Sequence, residues 1–324
     1  MNILVIDPGF GNTKVCFNGA TTTIQSAVVK PVHVGEAIDG MRISQAARRV
    51  VFDGLEFAVG EGAWNWGRSL GSMDYAGIVG PERLALIYGA LSQVAQPGDL
   101  GECQMVIGLP VPLLMDEGQM KSIKEALKRL KREHSFVTEG SEYRCVITGI
   151  SYRAQPMGAF YDWQLNADLS VRDGSAAMTV AVLDVGMNTL DLFVVDNNAL
   201  RPGLLGGDKV GVRRLLELAN LNGYDVIERD GLLRAGRLKL REAELDIWLS
   251  NILDVVERTW PTLRRFHAVI PTGGGAMVLG SKLQGALAAK GAALYWPEDP
   301  ITANVRGLYK YAARKALQRA DATA

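Results

Sequence analysis

The sequence predicts an α/β protein of two domains. Three observations carry this: a length of 324 residues, short buried strands alternating with helical stretches, and an acidic glycine-containing turn between strands that occurs twice. One hydrophobic core seldom serves so long a chain, and roughly 150 residues per domain gives two. Hydrophobic residues make up 48% and charged residues 22%, a balance that supplies substantial cores and argues against wholesale disorder.

The elements follow in order. Asn2 to Ile6 read as a buried strand that runs into DPGFGNTK, Asp7 to Lys14, and then into an apolar strand from Val15 to Phe17. Thr21 to about Gly71 is interrupted by many glycines and predicts a variable subdomain of hairpins and short helices. Pro81 to Leu91 predicts an amphipathic helix, and Met105 to Pro112 a buried strand ended by prolines. Lys121 to Glu133 predicts a basic helix with Ile123, Leu127 and Leu130 on one stripe; its cationic side reads as a solvated face or as a subunit contact.

Strands are expected around Tyr143 to Tyr152, then a helix from Pro156 to Leu165. Ala176 to Leu183 opens a second buried strand leading into DVGMNTLD, Asp184 to Asp191, which repeats the first turn in outline. Gly206 to Leu218 predicts a helix beginning at a glycine pair, and Glu242 to Trp260 a longer one stopped by Pro261. The strand Ala268 to Pro271 feeds TGGGA, Thr272 to Ala276, and Asn304 to Leu317 predicts a final helix.

Composition narrows the function. Lys plus Arg and Asp plus Glu both total 35, so no net field draws the chain onto nucleic acid or an anionic membrane, and direct nucleic-acid binding is not expected. Cys16, Cys103 and Cys145 are scattered without CxxC spacing, which points away from disulfides and structural zinc and toward a reducing cytoplasm. The opening MNILVIDPGF lacks a signal-peptide pattern, and no membrane segment is expected. His33, His134 and His267 show no metal-ligand spacing and accompany no GxSxG elbow. Trp64 and Trp66 are expected to share one strand face, as a packed cluster or an assembly contact.

The glycine-rich turns carry the chemistry. Gly9 and Gly11 let backbone amides approach a phosphate, and Lys14 can reach the same anion. By itself DPGFGNTK equally fits an ordinary hairpin; Lys14 is followed by an apolar strand, so it is neither a GxGxxG fingerprint nor a GxxxxGK[ST] loop. The second turn favours the phosphate reading: two such turns can grip phosphates from opposite sides, with Asp7 and Asp184 facing a hydrated magnesium ion. TGGGA adds bare backbone against which a nucleoside can lie.

The order of these elements resembles the actin, sugar-kinase and seventy-kilodalton heat-shock superfamily over nearly the whole chain. DPGFGNTK is similar to its first phosphate motif, QPMGA (Gln155 to Ala159) to its first connecting helix, DVGMNTLD to its second phosphate motif, TGGGA to its adenosine motif and ANVRG (Ala303 to Gly307) to its second connecting helix. Within the superfamily the chain looks most like the bacterial and archaeal actin-like proteins of the ParM type, on AVGEGAW (Ala58 to Trp64), GLPV (Gly108 to Val111) and PITANVRGLYKYA (Pro300 to Ala312).

The resemblance implies an actin-like fold of two ribonuclease-H-like domains flanking a nucleotide cleft: domain I from 1–154 completed by 301–324, with a variable subdomain at about 21–100, and domain II from 155–300. It implies ATP, with GTP the alternative, and magnesium held through water by Asp7 and Asp184. Gln155, Asp184 and Asp7 would serve catalysis, Gln155 by positioning water rather than as a base. Gly9, Phe10, Gly11, Asn12, Thr13, Lys14, Gly186, Met187, Asn188, Thr189, Gly206, Gly207, Gly273, Gly274, Gly275 and Ala276 would hold the nucleotide. The implied activity is slow ATP hydrolysis coupled to head-to-tail filaments that segregate DNA through an adaptor. A small-molecule kinase and a non-polymerising nucleotide-dependent scaffold are the alternatives, and the kinase is disfavoured because no acid adjoins Gln155.

Overall fold

The computed structural model describes residues 2–31, 47–67, 79–219 and 222–323; His33 and parts of the expected variable subdomain lie outside them. β1 (Asn2–Pro8), β2 (Asn12–Phe17) and β3 (Ala20–Gln25) form an antiparallel meander. Asn18 and Gly19, both at positive φ, make the tight turn between β2 and β3. After β4 (Val28–Val29), β5 (Arg48–Phe52) and β6 (Leu55–Val59) comes α1 (Pro81–Leu91), started by proline at its first position and Glu82 in its first turn. β7 (Gly98–Leu109), α2 (Val111–Met115), α3 (Glu117–Lys128), β8 (Glu133–Thr138) and β9 (Ser141–Ala154) complete this lobe.

Its nine strands run in the order β3-β2-β1-β7-β9-β8-β5-β6-β4, with β7 parallel to both β1 and β9. The sheet curls around α1, which touches β1 to β6 and β8. That is why every residue from Arg83 to Leu91 is buried.

The second lobe contains α4 (Gln155–Gln164), β10 (Thr179–Val185), β11 (Leu190–Asp196), β12 (Ala199–Leu200), β13 (Gly206–Asp208), α5 (Val212–Leu218), α6 (Val226–Arg234), α7 (Glu242–Thr259), β14 (Ala268–Thr272), α8 (Gly274–Leu279) and α9 (Ser281–Ala289). β11 lies antiparallel to β10, β14 parallel to it, and β12 and β13 share the far edge of β11. A parallel bridge from Val269 to Leu294 adds one further position beyond β14. Both sheets therefore share one plan: an antiparallel meander whose first strand has a parallel neighbour on its other side. The repeat seen in the turns is a repeat of topology.

The cores sit on both faces of each sheet. Trp248 and Trp260 are fully buried in the second lobe, their indole N–H groups donating to the carbonyls of Val210 (2.7 Å) and Leu204 (2.9 Å). α4 leaves the first sheet and packs on the second through Phe160 and Trp163; α10 (Ala303–Thr323) follows the second lobe and packs on the first sheet through Val305 and Leu308. Each sheet thus has one face covered by the helix that the chain enters on leaving the other sheet's lobe.

Several sequence expectations are corrected. The strand expected from Met105 to Pro112 begins at Gly98, and Pro112 lies in α2, where proline in the first turn loses no helical bond. The basic helix starts earlier, capped by Asp116, whose side chain accepts from the Gln119 amide, and ends before Glu133, which opens β8. Trp64 and Trp66 lie in a short 3-10 turn, Ala63–Trp66, entered through Gly60 and Gly62 at positive φ, so the alternation of a strand does not apply; the packed cluster is present. Gly206 and Gly207 belong to β13, and the helix begins only at Val212. The three cysteines are buried free thiols. Among the described residues no helix is long and apolar enough to cross a membrane.

Candidate nucleotide cleft

The first turn joins β1 to β2, and the register sets Asp7 opposite Lys14. Lys14 Nζ donates to Asp7 Oδ2 at 2.7 Å, with both groups buried. The turn is held from behind by side chains. Ser26 Oγ donates to the Gly9 carbonyl (2.7 Å), and buried Arg83 on α1 donates to the carbonyls of Pro8 (3.0 Å) and Gly9 (3.3 Å). Gly9 cannot carry a side chain here, since a Cβ would stand 2.6 Å from the Asn12 carbonyl oxygen.

The second turn joins β10 to β11 with the same register: Asp184 sits opposite Asp191, seven residues on, as Lys14 follows Asp7. Its carbonyls are held by backbone instead. The Gly211 amide reaches Asn188 O (3.4 Å), and the first amides of α5, Val212 and Arg213, donate to Gly186 O (3.0 Å) and Met187 O (2.8 Å). The tips of the two turns meet, because Met187 packs against Gly11.

Both acids are bonded by amides from the helices that cross between the lobes. Gln155, first residue of α4, donates from Nε2 to Asp7 Oδ1 (2.5 Å), and Asn304 on α10 donates from Nδ2 to Asp184 Oδ2 (2.7 Å). Burial raises the Asp184 carboxyl, partly offset by Lys14 and Asn304. Burial acts against the Lys14 ammonium, yet Asp7 and Asp184 hold it above its ordinary value. Asp191 is pushed up to about 7 by burial and by the Asp184 charge; Thr189 binds one oxygen at 2.8 Å, and Oδ1 has no partner.

These groups line one end of a cavity of about 380 Å³ between the lobes. Asp7, Gly9, Phe10, Gly11, Asn12, Lys14, Gln155, Asp184, Gly186, Met187, Asn188, Thr189 and Gly274 all face it. Thr13 does not: it is buried against Ser26. Gly206 and Gly207 do not either. Their missing side chains admit Thr259 and the Leu190 carbonyl, so this pair serves close packing of β13. Gly273, Gly275 and Ala276 stand behind the lining; Gly273, at φ 88°, lies where a Cβ would meet Val185 O at 2.4 Å. The sequence reading missed Asp191, Arg83 and the apolar wall of Val212, Leu233, Leu240, Met277, Val278 and Ile301.

Residues 6–158 match the family described as actin like proteins N terminal domain. Over the whole length, the apo structure of psk41 ParM superposes with a TM-score of 0.71 at 16% identity, covering 98% of each chain. The chain has the actin-like fold. Two further likenesses extend it: the archaeal actin homolog Ta0583 in complex with ADP (TM-score 0.70, 20% identity, 97% of this chain and 100% of that one), and ParM in a 15-stranded filament from Clostridium botulinum (0.69, 17%, 97% and 99%). No curated protein matches the sequence.

Within this actin-like fold the residues at the cleft suit a nucleoside phosphate with a hard cation. Asp7, Asp184 and Asp191 outnumber the ammonium of Lys14 and the guanidinium of Arg83 behind the turn, and one oxygen of Asp191 is unpartnered. Among the described residues no three acids, histidines or cysteines converge tightly enough to ligate a metal directly. Such a site fits magnesium, which keeps its waters and takes few carboxylates. The glycines leave the backbone bare at the phosphate end, and the apolar wall suits a base at the other.

The mouth of the cleft is bridged. Arg234 on α6 pairs with Asp230 (2.7 Å) and donates to Asn12 Oδ1 of the first turn (2.7 Å). Gln25 donates to Asp230 Oδ2 and to the Ile227 carbonyl, both at 3.0 Å. Trp64 packs against Gly231, where a Cβ would stand 2.2 Å from its ring.

Proposed function

We propose that this protein is a slow, magnesium-dependent ATP hydrolase whose ATP-bound form adds head to tail into filaments. The supporting observation is the convergence of Asp7, Lys14, Gln155 and Asp184 at one end of a cleft with bare glycine turns. In this reading Lys14 binds phosphate oxygens, Asp7 and Asp184 orient the water shell of the cation, and Gln155 positions the attacking water. A neutral amide is a poor general base, and phosphoryl transfer depends mainly on alignment and charge stabilisation, so slow turnover follows. Bound magnesium would neutralise charge developing on the phosphates.

Gln155 is held on Asp7 and offers no carboxylate to a sugar hydroxyl, which favours water over a kinase substrate. The domain assignment is 1–154 with 301–324 for domain I and 155–300 for domain II. Heterologous contacts that do not close produce open filaments, and ParM and other actin homologs of this fold appear in such assemblies. The cellular role proposed is DNA segregation in the cytoplasm through a separate adaptor, since the chain has no net positive charge of its own.

Light scattering, phosphate release and negative-stain imaging with magnesium and ATP, GTP, ADP or no nucleotide test this. Filaments that require a triphosphate and persist in Gln155→Ala, with phosphate release cut about 100-fold, are expected. Protein that binds ATP yet stays monomeric across concentration and salt would overturn the filament reading.

A further inference from the structure

Asn304 occupies a place that the nucleotide reading leaves unassigned. It is the second residue of α10 and is 1% exposed. One end of its amide donates to Asp184 Oδ2 at 2.7 Å, and the other accepts from the backbone N–H of Ala159, inside α4, at 3.3 Å. One side chain thus touches three elements: the second turn's acid and both helices that pass between the lobes.

The backbone around it is packed without slack. A Cβ on Gly158 would stand 2.0 Å from the Asn304 carbonyl oxygen, and one on Gly307 1.8 Å from the Gly158 carbonyl oxygen, so α4 and α10 cross backbone to backbone. Farther along, Arg306 clamps buried Asp162 with two bonds (2.8 and 2.5 Å), and Lys310 adds a third contact at 2.9 Å. Rotation of one helix against the other therefore cannot be absorbed at the crossing by side-chain adjustment. It reaches Asn304, and through Asn304 the carboxylate of Asp184.

We propose that Asn304 is a positioning residue that ties the aim of the Asp184 carboxylate to the crossing of α4 and α10, so that lobe orientation gates the acid. This rests on the hydrolase reading above. Gln155 forms the matching link on the other side, since it belongs to α4 and holds Asp7. Both acids are thereby indexed to the crossing, and Asn304 touches both helices and an acid at once.

Two substitutions separate the two ends of the amide. Asn304→Asp keeps the shape and the acceptor toward Ala159 but loses the donor toward Asp184; Asn304→Leu loses both. In the full chain, kcat and KM for ATP, affinity for a fluorescent ADP without magnesium, and thermal melting are measured side by side. The expected result is a fall in kcat of at least about 30-fold in both variants, with ADP affinity changed less than about threefold and melting still cooperative. The pair exchange Asn304→Asp with Asp184→Asn restores a donor and an acceptor in swapped positions. It should recover melting temperature beyond the sum of the single changes while hydrolysis stays lost.

An unchanged kcat in Asn304→Asp, or melting effects that simply add, would overturn the inference while leaving the hydrolase reading intact. Wild-type protein that releases no phosphate would overturn both, and the two failures are told apart by that control.

Discussion

The two turns share one register and differ in almost everything that holds them. Each places a residue seven positions after its aspartate directly across the hairpin, yet the first puts Lys14 there and the second Asp191. The first turn is braced by side chains, Arg83 and Ser26; the second by the amides of Gly211, Val212 and Arg213. A duplicated scaffold thus carries an unduplicated charge pattern: a neutralised pair on one side and two crowded acids on the other. The demand for an added cation falls on the second turn.

Breaking the neutralised pair should have the largest effect. Lys14→Met leaves Asp7 buried without its counter-charge, and a loss of about 3–5 kcal/mol is expected in urea unfolding at pH 8 without magnesium. A loss under about 1 kcal/mol would mean that Gln155 alone compensates Asp7.

The crowded pair should respond in the opposite sense. The Asp191 carboxyl titrates near 7 in the folded protein, above its ordinary 3.8, so the folded state disfavours its ionised form. The resulting penalty is absent below pH 4, grows as pH rises, and is complete above 7. Asp191→Asn should therefore gain about 2–4 kcal/mol at pH 8 in metal-free protein and little at pH 4. A difference that does not vary with pH would contradict this assignment, and saturating magnesium should narrow the gap at pH 8.

A smaller effect tests the contact between the turns. In Gly11→Ala the new methyl would stand 2.9 Å from Met187 Cβ, and about 2 kcal/mol should be lost. Met187→Ala in the same chain keeps the nearest atom, Cβ, and should return only part of the loss, whereas Met187→Gly removes the contact and should return more. The smallest concerns the link from the first turn's lobe to the opposite one. Gln25→Ala removes two bonds to α6 and should cost about 1 kcal/mol. Its clearer readout is severalfold faster association of a fluorescent ATP analogue, and an unchanged rate would show that the mouth is not limiting.

Much of this was legible because strand, acid and glycine spacing is local. The two turns, the strands feeding them to within three residues, and α1 fall where the pattern places them, whereas Asn304 entered only as the start of a helix. Asp191 was in plain view within DVGMNTLD, but only the register of β10 against β11 turns a strand polar residue into the partner of Asp184. Arg83 was hidden for another reason. An arginine on an amphipathic helix reads as solvent-facing, and the curl of the sheet around α1 buries it beneath the first turn. Gly206 and Gly207 illustrate the converse, since glycine serves strand packing as readily as ligand approach. α6 was missed because its apolar and polar residues do not separate to opposite sides, and its burial comes from the far lobe.

The glycines at the crossing of α4 and α10 have a consequence for how motion is spent. Where helices meet through side chains, a small rotation is taken up by rotamer changes and dies out within a few ångströms. Gly158 and Gly307 offer no rotamers, and turning about their contact orders or frees no side chain there, so it carries almost no entropic cost of its own. Such a joint has little play. If a nucleotide bound in the cleft turns one lobe against the other about this joint, the far rims would move in proportion, and a change of one bond's length in the cleft would become a larger displacement on the outer faces.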